Sequence, residues 1–272
     1  MKIGVLMTLA EAKNRIPLAA EMGIHSCQLC SWDLSKHTDE MAEEILGLLD
    51  KYDMEVSTFW AGWSGPKAWN FTEGPLTLGL LPTPYRHRRV QELKDGADFA
   101  HKLGIKQVAT HAGFIPENPH DPQYAEMMDA LRDLAEHLKK NGQYLLFETG
   151  QETPVTLLRA MEDIGTGNLG VNLDTGNLIL YGKGNPVDAL DVFGQYVMDL
   201  HIKDGLFPTD GWKLGNEVAV GEGKADFPRI IEKLRALGYD GALTIEREIS
   251  GEQQLIDIRE TQTYLQGLID QL

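Results

Sequence analysis

Gly170-Val171-Asn172-Leu173-Asp174-Thr175-Gly176-Asn177 has the form of a short buried strand that stops at an acid and turns on a glycine. Alternate residues of a strand share a face, so Asn172 and Asp174 point one way and Val171 and Leu173 the other. An acid at the end of a buried strand is costly unless something pairs with it. Three further segments end alike: Leu145-Leu146-Phe147-Glu148, Leu200-His201-Ile202-Lys203-Asp204 and Leu243-Thr244-Ile245-Glu246. Two Glu, one Asp and one His, each near the end of its own apolar run, form a candidate site for a hard or borderline divalent metal ion.

Working outward, apolar runs of strand length alternate with helical patterns along the whole chain. Strands are expected at residues 2–7, 24–29, 55–60, 105–110, 144–148, 169–174, 197–203 and 242–246. Helices are expected at 9–22, 38–52, 86–103, 122–140, 154–164, 186–193, 227–237 and 252–268. Eight strand-helix pairs in strict alternation imply a parallel sheet closed into a (β/α)₈ TIM barrel. The length of 272 residues suits it, since such barrels run to about 250. An open doubly wound sheet would carry a G-x-G-x-x-G turn after its first strand, and Met7-Thr8-Leu9-Ala10 has none. No linker or composition break divides the chain, so residues 1–272 read as one domain. Two connections are long and irregular, 61–85 and 204–224. Trp63, Trp69 and Phe71 in the first argue against disorder and for a functional loop.

Composition narrows the partners. The 41 acids against 25 bases give a formal net charge of -16, which repels phosphate backbones and argues against a nucleic-acid surface. The two cysteines, Cys27 and Cys30, exclude a disulfide framework. Three positions apart on a strand, they face opposite sides, against a redox pair or zinc site. No apolar run approaches the about 20 residues of a spanning helix. Met1-Lys2-Ile3-Gly4-Val5-Leu6 starts directly as a strand, without a basic region followed by an apolar leader. The expectation is a cytoplasmic protein with no membrane partner; a homo-oligomer is compatible with the sequence.

In a barrel of this type the C-terminal ends of the strands lie at one mouth, where the active site sits. Glu148, Asp174, His201 and Glu246 end the fifth to eighth strands in order, so their side chains would form an arc. Three carboxylates with one imidazole favour Mn²⁺, with Mg²⁺, Co²⁺ and Zn²⁺ as alternatives. These four, with Phe147-Glu148-Thr149-Gly150, Asn172-Leu173-Asp174-Thr175-Gly176-Asn177 and His201-Ile202-Lys203-Asp204, resemble the metal quartet of the xylose-isomerase-like barrels. Gly221-Glu222-Gly223 leading into Asp226-Phe227 resembles the branch of sugar phosphate isomerases and epimerases. The likeness extends over almost the whole chain. The superfamily also holds DNA repair enzymes of the endonuclease-four type.

The resemblance implies a metal-dependent sugar isomerase or epimerase working through a cis-enediolate, with Glu148 and Glu246 as the proton-transferring pair. Several neighbours are candidate substrate contacts. His111 ends the fourth strand, and Lys203 shares a strand face with His201. Trp32 and Trp60, like Trp63 and Trp212, fall near strand ends or in mouth loops, where aromatic rings can meet apolar sugar faces. Glu152 is either a site acid or a helix-terminus acid. Asn177 and Phe207 are departures: ketose 3-epimerases carry a His and an Arg at these positions. A plain ketose epimerase is therefore not expected, and the missing His also counts against the repair enzymes. A lyase or hydratase on a keto-sugar or inositol derivative is the alternative, and a non-catalytic sugar-binding barrel remains open.

Overall fold

The computed structural model describes residues 1–271. Eight parallel strands close into a barrel: β1 (Lys2–Thr8), β2 (Ser26–Ser31), β3 (Glu55–Ala61), β4 (Gln107–Thr110), β5 (Tyr144–Glu148), β6 (Leu169–Asp174), β7 (Val197–Ile202) and β10 (Ala242–Ile245). Between β7 and β10, β8 (Asp204–Gly205) and β9 (Glu217–Val218) form a two-stranded antiparallel ribbon. The helices are α1 (Ala12–Glu21), α2 (Asp39–Tyr52), α3 (Gly74–Thr77), α4 (Thr83–Lys102), α5 (Pro122–Lys140), α6 (Pro154–Ile164), α7 (Asn177–Leu180), α8 (Pro186–Phe193), α9 (Phe227–Ala236) and α10 (Glu252–Asp270).

The closed parallel barrel is the architecture the alternation implies. Its strands are buried on both faces, so they read as apolar runs interrupted by polar residues that point inward. Leu173, Phe147, Leu200 and Ile245 face the helical layer and belong to the main core. Inside the barrel, Thr58 and Thr244 donate to Asp199 at 2.6 and 3.2 Å. The inner face toward the mouth is filled by Trp60, Trp63, Leu78, Ala109 and Leu146.

Local chemistry sets the helix ends. The Thr38 hydroxyl accepts from the Met41 N–H to open α2, and Thr153 opens α6 with Pro154 in the first turn. That proline has no N–H to leave unpaired there. Gly165 ends α6 at φ +65°, a conformation glycine adopts without steric cost. Some boundaries differ from those expected. Helix α4 begins at Thr83 rather than at 86, because Pro84 is accepted in a first turn as readily as in a loop. The expected first helix opens with a 3₁₀ turn, Leu9–Glu11, and the loop at 61–85 contains α3. Among the described residues, no helix is long and apolar enough to cross a membrane.

Candidate metal centre and active site

Register brings the strand-end side chains together. Asp174 stands opposite His201 across the β6–β7 pair, and Thr244, two residues before Glu246, stands opposite the same histidine on β10. One donor atom from each of Glu148, Asp174, His201 and Glu246 falls within 4.8 Å of all the others. The His201 Nδ1 faces this group, 3.1 Å from Glu148 Oε1, 3.2 Å from Glu246 Oε2 and 3.7 Å from Asp174 Oδ2. The Asp174 Oδ2 is buried and accepts no hydrogen bond. Three carboxylates gathered around one ring nitrogen, with a buried oxygen lacking a donor, suit a divalent cation.

The electrostatics agree. Burial pushes the Asp174 carboxyl up to about 7, despite the Lys203 ammonium nearby. His201 is pulled down by burial, but Glu148 and Glu246 beside it hold it well above the ordinary imidazole range. Burial also opposes ionisation of the two glutamates. His111 and His201 nevertheless hold Glu148 low, and Lys203 and His201 hold Glu246 well below the usual carboxylate range. Both are therefore ionised where a base is needed. Lys203, fully buried, lies 3.0 Å from Glu246 Oε2, 3.0 Å from Glu248 Oε1 and 3.5 Å from Asp174 Oδ2. It pairs with Glu246 and Glu248.

A cavity of about 370 Å³ opens onto three of the four donors, with Asp174 buried behind them. Of the candidate substrate contacts, Trp32, Trp60, His111 and Asn177 line it, together with Glu148, His201 and Glu246. Trp60 Nε1 donates to Glu148 Oε2, and His111 Nε2 lies 3.4 Å from Glu148 Oε1. Asn177 donates weakly to Glu148 Oε1 at 3.4 Å, and its backbone N–H meets Asp174 Oδ1 at 2.6 Å. Lys203 and Glu152 are not on the cavity wall. Lys203 supports the carboxylates from the side. Glu152 is buried, its Oε1 accepts no hydrogen bond, and burial raises its carboxyl to about 8, so it is not a solvated helix-terminus acid. Trp63 is wholly buried and Trp212 is 76% exposed, and neither lines the cavity.

The sequence reading missed Gln28. It is buried on β2 and spans the barrel: its Oε1 lies 2.8 Å from His201 Nε2, and its amide donates to Asn172 Oδ1 at 3.0 Å. With the proton on Nε2 bonded to Gln28, the Nδ1 lone pair is left for the ion. Its signal in the sequence is a polar residue at an inward position between Cys27 and Leu29. The same strand separates the thiols. Cys27 joins the outer core and Cys30 the mouth side, and burial pushes Cys27 up to about 12 and Cys30 higher still, against redox chemistry.

The comparisons bear on the fold and the family. A solved xylose isomerase domain protein from Planctomyces limnophilus is 32% identical, with a TM-score of 0.91 over 98% of this chain and 95% of that one. A D-tagatose 3-epimerase-like protein matches with a TM-score of 0.77 over 99% of this chain and 97% of its own; at 22% identity this is a likeness of fold. The inosose dehydratase of Lacticaseibacillus casei is 25% identical over 201 residues, 62% of this chain and 66% of that enzyme. The family model described as xylose isomerase-like TIM barrel matches residues 16–268, and the chain belongs to that family.

Proposed function

We propose that the chain is a divalent-metal-dependent sugar isomerase or epimerase that moves a proton beside a carbonyl through a cis-enediolate. The observation that carries this reading is the convergence of Glu148, Asp174, His201 and Glu246 around a buried Asp174 oxygen that accepts no hydrogen bond. An ion held by these four, Mn²⁺ by preference and Mg²⁺, Co²⁺ or Zn²⁺ otherwise, would polarise an α-hydroxy carbonyl and stabilise the negative charge that develops on its oxygen.

The side chains supply the rest. Glu148 comes from β5 and Glu246 from the end of β10, with β6 and β7 between them in the barrel wall. A sugar between the two carboxylates can lose a proton to one and regain it from the other. Trp60 and His111 hold the Glu148 carboxylate in place, and Lys203 does the same for Glu246. The apolar rings of Trp32 and Trp60 exclude water from one side of the cavity. The test is solvent-deuterium uptake at the carbon beside the carbonyl across a panel of ketoses. Glu148→Gln and Glu246→Gln should each lower uptake by about 10²-fold or more. Retained uptake in both variants would contradict the assigned roles.

A second reading is favoured by the inosose dehydratase among the relatives. The same carboxylates would then remove the proton and water would leave, rather than the proton returning. Product mass separates the two: proton return conserves it, and dehydration lowers it by one water. The DNA repair reading is disfavoured by the net charge of -16 and by Asn177 where those enzymes place a histidine.

A further inference from the structure

The connection from β3 to α4 is held from beneath by Arg89. This arginine is fully buried on α4 and donates to three carbonyls of the connection: Ser64 at 3.3 Å, Pro66 at 2.9 Å and Gly79 at 2.7 Å. Its guanidinium also lies over the Trp63 ring at 5.3 Å. A buried cation used in this way fixes the backbone on both sides of residues 67–69. Yet the large side chains carried between these anchors, Lys67 and Trp69, are exposed, Trp69 by 40%. Neither serves the core, and both line the cavity.

The cavity's rings form two tiers. Trp60 and His111 touch Glu148. One ring further out stand Trp32, 4.7 Å from Trp60 between centroids, and Trp69, 5.0 Å from His111. Trp32 and Trp69 meet edge-on at 6.2 Å. Trp32 packs against the backbone at Gly62, where a Cβ would stand 2.5 Å from the indole, so its approach requires a glycine. Lys67 Nζ lies 4.7 Å over the Trp32 ring and, among the described residues, forms no ion pair with an acid.

We propose that this outer tier is a subsite for a second ring attached to the reacting sugar, so that the substrate is a glycosidic α-hydroxy ketone rather than a free monosaccharide. This rests on the enolising reading of the inner tier. The indoles of Trp32 and Trp69 offer aromatic surface to the apolar face of a sugar ring or aglycone, and Lys67 donates hydrogen bonds to its oxygens. A phosphate is the poorer occupant. Glu148, Glu246 and Glu248 also line the cavity, so a dianion there would face three carboxylates, with Lys67 the one lysine or arginine among the described residues on the wall.

The test is calorimetry on the full chain loaded with Mn²⁺, titrated with glucose, with cellobiose, maltose and sucrose, and with glucose 6-phosphate. At least one disaccharide should bind about tenfold more tightly than glucose. Trp69→Ala and Lys67→Ala should each bring that ratio close to one, and Trp69→Phe should restore most of it. Thermal melting of each variant checks that the fold is intact. The proposal is overturned if no disaccharide outbinds glucose, if the preference survives both alanine variants, or if glucose 6-phosphate binds most tightly. Deuterium uptake by ketoses is read separately. Absent uptake with the disaccharide preference intact removes the enolising reading alone, and uptake without the preference removes the subsite alone.

Discussion

Gln28 and Glu152 are buried polar residues whose effects can be separated by the property each controls. Gln28 touches His201 but not the cavity. Gln28→Leu leaves the imidazole free to rotate or to place its proton on Nδ1, and metal affinity should fall about 10- to 100-fold. Metal titration by calorimetry checks this, and unchanged affinity would mean that Gln28 only fills space. Glu152 behaves differently. Its carboxyl is raised by burial from 4.5 to about 8, so the folded chain holds a proton there that the unfolded chain has lost. The stability this proton contributes is complete below pH 4.5 and is lost as pH rises through about 8. Glu152→Gln cannot ionise, so its melting temperature should gain on the parent's as pH rises from about 5 to about 8 and level off above that. Parallel melting curves across that range would contradict the assignment.

At the scale of elements, two connections shape the mouth, and each is tied down by one buried charge. Asp204 accepts from the backbone N–H groups of Gly205, Gly221, Gly223 and Ala225 at 2.8 to 3.0 Å, tying the segment that follows β9 back to the end of β7. Arg89 does the same for the connection carrying Trp69. Arg89→Met would leave the carbonyls of Ser64, Pro66 and Gly79 without their donor, and stability should fall by about 3 kcal/mol. Limited proteolysis should then cut first within residues 61–82. Cleavage elsewhere, or stability within about 0.5 kcal/mol of the parent, would show that the connection holds itself. The burial of Arg89 lowers its guanidinium to about 10, so it stays charged through this measurement at neutral pH.

Across the whole molecule, the features legible in the sequence are those that repeat. Each barrel strand must bury both faces, so eight apolar runs separated by helical patterns announced the closed sheet. The acids and the histidine at the ends of β5, β6, β7 and β10 stood out because such residues are costly there without a partner. What stayed hidden depends on distant contacts. Gln28 meets Asn172 across the barrel from 144 positions away, and no local pattern marks that pair. Lys67 and Trp69 gain meaning only from Arg89, and no local pattern separates the exposed Trp212 from the tryptophans that line the cavity. The account rests on Glu148, Asp174, His201 and Glu246 holding one divalent ion, and Mn²⁺ titration calorimetry tests this directly on the parent chain and on Asp174→Asn. The account predicts one ion per chain for the parent and at least a 100-fold loss of affinity in the variant, about 2.7 kcal/mol. Equal binding by both, or no binding by the parent, would contradict it.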